Sequence, residues 1–228
     1  MTDAATPIDL CLRILFLCAY AFLFAAVEIE IEGPHGWAER LPTWFRVTTP
    51  SARFYAVFMR GKPLTGYHAV MFVLPLWSFH LGFVGGVPWT WAAEATTLAA
   101  YLAWAVTWDL MWFILNPRYG WAGFRKGAVW WHDRSWLGRF PIDYYGALVL
   151  SLGFAASAYL TTSSFAVLGR HAILVGSFAL ALVASHLMAP RYMRWYQRMR
   201  RPDADERALV LPPAAPGPEP APATPNAP

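Results

Sequence analysis

Apolar runs of about 20 residues recur along this chain, and they limit its possible folds more than any other feature. A helix needs about 20 such residues to cross a hydrocarbon core about 30 Å thick. Hydrophobic residues make up 57% of the sequence and charged residues only 14%, which is about half the charged share of an ordinary soluble domain. The sequence therefore predicts an all-α fold, a polytopic integral membrane helix bundle.

We expect about five spans, followed by a soluble tail. The predicted spans cover residues 8–31, 64–85, 88–115, 142–163 and 166–189, inside a bundle over residues 1–190. A basic juxtamembrane segment follows at 191–207, and the Pro/Ala-rich residues 208–228 have no periodic pattern, which predicts a disordered tail. The first apolar run is expected to be retained, because its acidic start lacks the basic region of a signal peptide.

The basic residues predict the orientation, because Lys and Arg are retained on the cytoplasmic side of a membrane. They occur almost entirely in the connections at 33–62 and 116–141 and after residue 190, while Arg13 and Arg170 fall on the other side. This distribution predicts an N-terminus outside the cell membrane and a cytoplasmic C-terminus. Both long connections are also rich in tryptophan, and we expect two amphipathic cytoplasmic loops in the headgroup layer. They either anchor the chain there or form a lid over the bundle.

Ionisable residues gather at one depth on this topology. A charged side chain costs about 2.5–3.5 kcal/mol at the centre of a bilayer and less near the interface, so such residues are expected to have partners or a function. Near the predicted cytoplasmic ends of the spans, or in the adjoining loops, are Glu28, Glu30, Glu32, His35, His68, Asp109, His132, Asp143 and His186. We therefore predict a shared polar site at the cytoplasmic interface.

The stretch VEIEIEGPHGW ends the first span with three glutamates. On a helix, Glu28 and Glu32 share one face and Glu30 points away. An extended exit would instead place all three on one side. The helix is favoured, because unpaired backbone near hydrocarbon is costly. Like charges four residues apart repel, so a proton, a metal, a histidine or an arginine is expected between Glu28 and Glu32.

Asp109 lies inside the third span, within TWDLMWFILNP. A carboxylate at this depth is expected to be protonated or paired, and a purely structural partner would be an interfacial arginine such as Arg118 or Arg139. A mixed group of His and carboxylate ligands suits a divalent transition metal such as Zn, Fe or Mn, and it equally suits metal-free acid–base chemistry. The candidate catalytic residues are Asp109, Glu28, Glu32 and His68. The candidate metal ligands are His68, His132 and His186.

The leading functional hypothesis is a small membrane enzyme that acts on an isoprenoid or acyl lipid. Tryptophans inside the spans either pack the core or form an aromatic pocket for such a substrate. One alternative is a non-enzymatic accessory or assembly subunit that binds other membrane subunits. Another is a small metal or proton carrier, with His80, Glu94 and Arg170 at the opposite end of its path. The sequence contains no phosphate-binding loop and predicts no nucleic-acid partner.

Two short resemblances within the chain suggest an internal repeat. GPHGWA at 33–38 resembles NPRYGWA at 116–122, and GKPLTGYHA at 61–69 resembles GRFPIDYYGA at 138–147. They indicate either a parallel duplication about an axis along the membrane normal or shared interfacial chemistry.

Overall fold

The computed structural model describes residues 6–33, 35–132 and 136–200 and is mostly helical. In chain order its elements are α1 (Pro7–Glu32), β1 (Phe45–Arg46), α2 (Pro50–Phe58), β2 (Leu64–Thr65), α3 (Gly66–Phe79), α4 (Leu81–Val84), α5 (Trp91–Leu115), α6 (Gly120–Gly123), a 3₁₀ turn (Trp130–His132), β3 (Trp136–Leu137), β4 (Phe140–Pro141), α7 (Ile142–Thr162) and α8 (Phe165–Met199).

Four helices, α1, α5, α7 and α8, are long and apolar enough to cross a membrane by length and composition. Large apolar side chains such as Leu23, Leu150 and Leu180 stay exposed on them, which is consistent with contact with a lipid bilayer. The structure therefore agrees with the predicted all-α bundle of a multi-pass membrane protein. The number of crossings and the orientation stay predictions.

The predicted second span, 64–85, is interrupted in the structure. Its residues form the 14-residue α3, a break at His80 and the four-residue α4. At 1.5 Å per residue, α3 extends only about 21 Å, against a hydrocarbon core of about 30 Å. Pro75 lies inside α3 and removes a backbone hydrogen bond from it. The His80 ring fixes the break against α5, since its nitrogens lie 2.7 Å from Leu76 O and 3.0 Å from Glu94 Oε1.

Helix α5 forms the centre of the bundle. Fifteen of its 25 residues are buried, and it packs most extensively against α7 and α1. Buried alanines on α7, Ala155 and Ala158, permit a close approach between helices. The fully buried Trp104 donates from Nε1 to Leu17 O of α1 at 3.0 Å. Helix α5, which carries Asp109, is thus packed between α1 and α7.

Two short antiparallel strand pairs precede α3 and α7. Strand β1 pairs with β2, and β3 pairs with β4. Gly66, the first residue of α3, lies so close to the Trp44 ring that a Cβ would not fit. Each strand pair leads directly into a helix whose third residue, His68 in α3 and Tyr144 in α7, lines the cavity described below.

The chain divides into two units, residues 1–193 and 194–228. In the second unit, Arg200 Nη1 donates to the Tyr196 hydroxyl at 2.7 Å. Residues 201–207 of the predicted basic segment and the whole predicted tail, 208–228, lie outside the described residues.

Candidate functional site

A cavity of about 250 Å³ brings together residues from α1, α3, α5, α7 and the two long connections. We call it the polar cavity. Its polar side chains are Glu28, Glu32, Tyr55, Lys62, His68, Tyr101, Asp109, Asp143 and Tyr144. Aromatic rings supply much of the remaining wall, among them Trp37, Phe72, Trp108, Trp112 and Trp131. All four residues predicted to be catalytic lie in this lining.

Helix α1 continues to Glu32 and determines how its glutamates are displayed. Glu28 and Glu32 are each only 6% exposed, whereas Glu30 is exposed. The helical interpretation is therefore confirmed, and the alternative of an extended exit is wrong. Oε1 of Glu32 accepts a hydrogen bond from Ala38 N at 2.6 Å. Oε2 of Glu28 is buried and accepts no hydrogen bond from the residues that the structure describes.

His68 lies beside these glutamates and is held on two sides. Its Nε2 is 3.8 Å from Glu32 Oε1. Its Nδ1 is 2.9 Å from Oγ1 of Thr65, the N-cap residue of α3, which also accepts from His68 N at 3.1 Å. The Trp37 ring stacks on the imidazole with 3.9 Å between centroids. The contact with Thr65 uses Nδ1, so Nε2, the ring nitrogen nearest Glu32, stays available.

The first long connection builds one wall of the cavity. Trp37 and Ala38 have φ angles of 55° and 54°, a left-handed conformation that costs about 1–3 kcal/mol for a residue with a Cβ. This conformation accompanies the stacking of Trp37 on His68 and the bond from Ala38 to Glu32. Gly36 lies against the Trp131 ring with no room for a Cβ. The glycine and tryptophan of GPHGWA therefore pack against the site.

Tryptophans of the two connections differ in their surroundings. Trp37 and Trp131 line the polar cavity, whereas Trp44 and Trp130 are 49% and 48% exposed. The interpretation as interfacial anchors and the interpretation as a lid both stay predictions, and the structure separates the exposed tryptophans from those that line the cavity.

Asp109 reaches the cavity from α5, and its partner is a tyrosine. The Tyr144 hydroxyl of α7 donates a hydrogen bond to Asp109 Oδ2. The expectation from the sequence that an arginine such as Arg118 or Arg139 pairs with Asp109 is wrong. Asp109 forms no ion pair with an arginine of the described residues, and a phenol on the neighbouring helix takes the place of that partner.

Lys62 and Asp143 form a partly buried ion pair at the edge of the cavity. Lys62 is 3% exposed, and its Nζ lies 2.6 Å from Asp143 Oδ2 and 4.8 Å from the centre of the Trp37 ring. His132 Nδ1 is 3.7 Å from the same carboxylate oxygen. Burial, together with the positive charge of Lys62, lowers the pKa of His132 to about 2. His132 is therefore a neutral imidazole.

The three predicted histidine ligands do not converge. His186 is exposed, with its ring 6.3 Å from Trp121, and it is not among the residues that line the polar cavity. His132 approaches Asp143. By contrast, one ligand atom from each of Glu28, Glu32 and His68 lies within 4.8 Å of the others. The ligand group that the geometry offers is therefore two glutamates and one histidine.

Several site residues were not singled out from the sequence. The sequence marks Lys62 only as a basic residue of the first connection and Asp143 only as one of many carboxylates. Tyr55 on α2 has a buried hydroxyl with no hydrogen-bond partner among the described residues, and burial raises its pKa above the usual range. The resemblance of GKPLTGYHA to GRFPIDYYGA was the available signal for Lys62 and Tyr144, because both stretches open a helix at the cavity.

The residues proposed for the opposite end of a carrier path fall into two places. His80 and Glu94 bond each other at 3.0 Å. Arg170 lines a separate cavity of about 190 Å³ with Asp9, Arg13 and His171.

Comparisons with known proteins give no match: no family model matches the sequence, and no curated protein or solved structure is detectably similar to it.

Proposed function

We propose that this chain is a membrane-embedded enzyme that acts on a lipid-soluble substrate, such as an isoprenoid or acyl lipid, in the polar cavity. The observation that carries the proposal is the convergence of carboxyl and imidazole groups from α1, α3, α5 and α7 on one space. Ionisable groups inside an apolar bundle are costly, and they commonly mark functional sites. The arrangement supports acid–base chemistry.

Asp109 and Glu28 are the candidate proton-transfer groups. Asp109 accepts a hydrogen bond from Tyr144, whereas Oε2 of Glu28 has no such bond from the described residues. Two acids in different surroundings can take opposite roles, one as proton donor and the other as acceptor. Tyr144 would orient Asp109, and Lys62 is already engaged with Asp143.

The wall of the cavity supports a hydrocarbon substrate. The rings of Trp37, Trp108 and Trp112 line it, and aromatic faces attract a cation that develops during a reaction. The volume of about 250 Å³ is below the roughly 300–1,000 Å³ of pockets that bind whole drug-sized ligands. We therefore expect the cavity to take the reactive end of a lipid while the rest of its chain lies among the helices.

The test compares lipid extracts of membranes that contain the wild-type chain, Asp109→Asn, Glu28→Gln or no chain. Untargeted mass spectrometry should find product lipids with the wild type only, because general acid–base groups contribute about 10²–10⁴-fold to a rate. Glu30→Gln is the matched control: it removes a carboxylate two residues from Glu28 on the exposed face of α1 and should yield the wild-type products.

Unchanged products with Asp109→Asn would remove that residue from the site. Identical extracts with and without the wild-type chain would count against the enzyme. The carrier would then be tested by flux into proteoliposomes, and the accessory subunit by copurification of a stoichiometric partner.

A further inference from the structure

Glu28, Glu32 and His68 form a cluster with the geometry of an open metal site. One ligand atom from each lies within 4.8 Å of the other two. Ligands about 2.1 Å from a tetrahedral ion lie roughly 3.4 Å from one another, so closing the cluster on an ion requires side-chain shifts of about 1 Å. All three residues are buried, and all three line the polar cavity.

We infer that Glu28, Glu32 and His68 bind one divalent transition-metal ion, with a remaining coordination position that opens into the polar cavity. A closed structural site would use four protein ligands, whereas three ligands leave room for a water molecule or a substrate oxygen. Two carboxylates and one imidazole suit Zn²⁺, Mn²⁺ or Fe²⁺. This inference deepens the proposed function and rests on it for the catalytic use of the ion. With an ion bound, Glu28 would serve as a ligand, and a water molecule on the open coordination position would supply the proton acceptor that complements Asp109.

Charge supports a cation at this point. Among the described residues no lysine or arginine forms an ion pair with Glu28 or Glu32. The nearby Lys62 is bound to Asp143 at 2.6 Å. Two buried carboxyl groups one helical turn apart are thus left without a counter-charge, and their ionised forms are costly unless they are paired or coordinate a metal. A divalent ion would balance both.

The surroundings of the ligands also fit. Metal-binding histidines usually donate from their second ring nitrogen to a fixed acceptor, and ligating carboxylates are themselves hydrogen-bonded. Nδ1 of His68 lies 2.9 Å from Thr65 Oγ1, and Oε1 of Glu32 accepts from Ala38 N. With Nδ1–H donating to Thr65, Nε2 carries the lone pair that an ion needs. Oε2 of Glu28 is buried and accepts no hydrogen bond from the described part of the chain.

The experiment measures metal binding without any substrate. Full-length protein is purified through a histidine-free tag, treated with a chelator and placed in nanodiscs. Zn²⁺, Mn²⁺ and Co²⁺ are then titrated separately, and bound metal is determined by elemental analysis. We expect about one ion per chain and Co²⁺ absorption bands typical of oxygen and nitrogen ligands. Glu28→Gln, Glu32→Gln and His68→Ala should each weaken binding about ten-fold or more, while Glu30→Gln and His186→Ala should bind as the wild type does.

The glutamine variants keep the shape of the side chain, so a folding defect of His68→Ala would leave the test intact. The inference is overturned if the wild type binds no stoichiometric ion, or if the glutamine variants bind metal as well as the wild type does. If the chain binds the ion but makes no product, the proposed enzyme is contradicted and the metal site stands. If the metal-free protein turns over substrate, the proposed enzyme stands and the catalytic use of the ion is contradicted.

Discussion

Two basic side chains approach Asp143 at the edge of the polar cavity, and one is charged while the other is neutral. Lys62 approaches to 2.6 Å as an ammonium, and His132 lies 3.7 Å away. Because Lys62 neutralises the carboxylate and burial disfavours a second charge, His132 remains an uncharged ring. Breaking a buried pair of this kind by removing one partner costs up to about 3–5 kcal/mol, so the pair of Lys62 and Asp143 holds the end of the first connection against α7.

His132 should make the fold sensitive to mild acid. Its pKa is lowered to about 2 in the folded chain, while an unfolded histidine binds a proton near pH 6.5. The unfolded state therefore takes up more protons as pH falls below about 6.5, and each pH unit costs about 1.4 kcal/mol of stability. We expect the thermal midpoint of the wild type to fall more steeply between pH 7.5 and 5 than that of His132→Gln. Equal slopes would contradict this assignment.

At the residue scale, sequence reasoning succeeded where local geometry determines a contact. Residues four apart on a helix share a face, and this placed Glu28 and Glu32 together correctly. Lys62 and Tyr144 are contacts between distant parts of the chain, 81 and 35 residues from their partners Asp143 and Asp109. No periodicity encodes such a distance. The prediction that His186 joins the site is wrong for the opposite reason. A residue at a similar predicted depth can still lie on a side of its helix that faces away from the cavity.

At the scale of elements, the end of α7 carries avoidable strain. Its C-cap residue, Ser163, has φ 53° and ψ 23° and is exposed. The left-handed conformation costs a residue with a Cβ about 1–2 kcal/mol, and helices commonly end in glycine for this reason.

Ser163→Gly should therefore stabilise the chain by about 0.5–1 kcal/mol, since relief of strain is partly offset by the greater freedom of glycine when unfolded. The measurement is the thermal midpoint in detergent. Ser163→Ala retains the strained conformation and is the control that should not gain stability. A glycine variant no more stable than the alanine variant would contradict the assignment of strain.

Element boundaries were predictable where long apolar runs end in caps, and less so where the chain breaks inside a run. Thr6 and Thr90 cap α1 and α5 by accepting from Asp9 N and Ala93 N, close to the predicted starts. At the break between α3 and α4, the His80 ring bonds Glu94, 14 residues away. A prediction from apolar runs alone therefore treats α3 and α4 as one span.

At the scale of the whole molecule, the crossing of the α3–α4 segment decides the topology. Five crossings put the termini on opposite sides of the membrane, and four put them on the same side. The distribution of basic residues leads us to expect five. Reporter fusions before residue 6 and after residue 200 should place the N-terminus outside and the C-terminus in the cytoplasm. Both reporters on one side would mean that α3–α4 does not cross.

The two parts of the bundle resemble each other in how they supply the cavity. Glu32 from α1 faces His68 from α3, and Asp109 from α5 bonds Tyr144 from α7. In both parts the partner is the third residue of a helix that follows a short strand pair. This layout agrees with the suggested internal repeat, which stays a prediction.

Glu32 and Asp109 thus each find a partner within their own half of the chain, whereas the ion pair of Lys62 and Asp143 joins the two halves. This ion pair has a mechanical consequence. A movement that widened the gap between the Glu32–His68 and Asp109–Tyr144 pairs would have to stretch the bond from Lys62 to Asp143, so this pair restrains the two halves against separation.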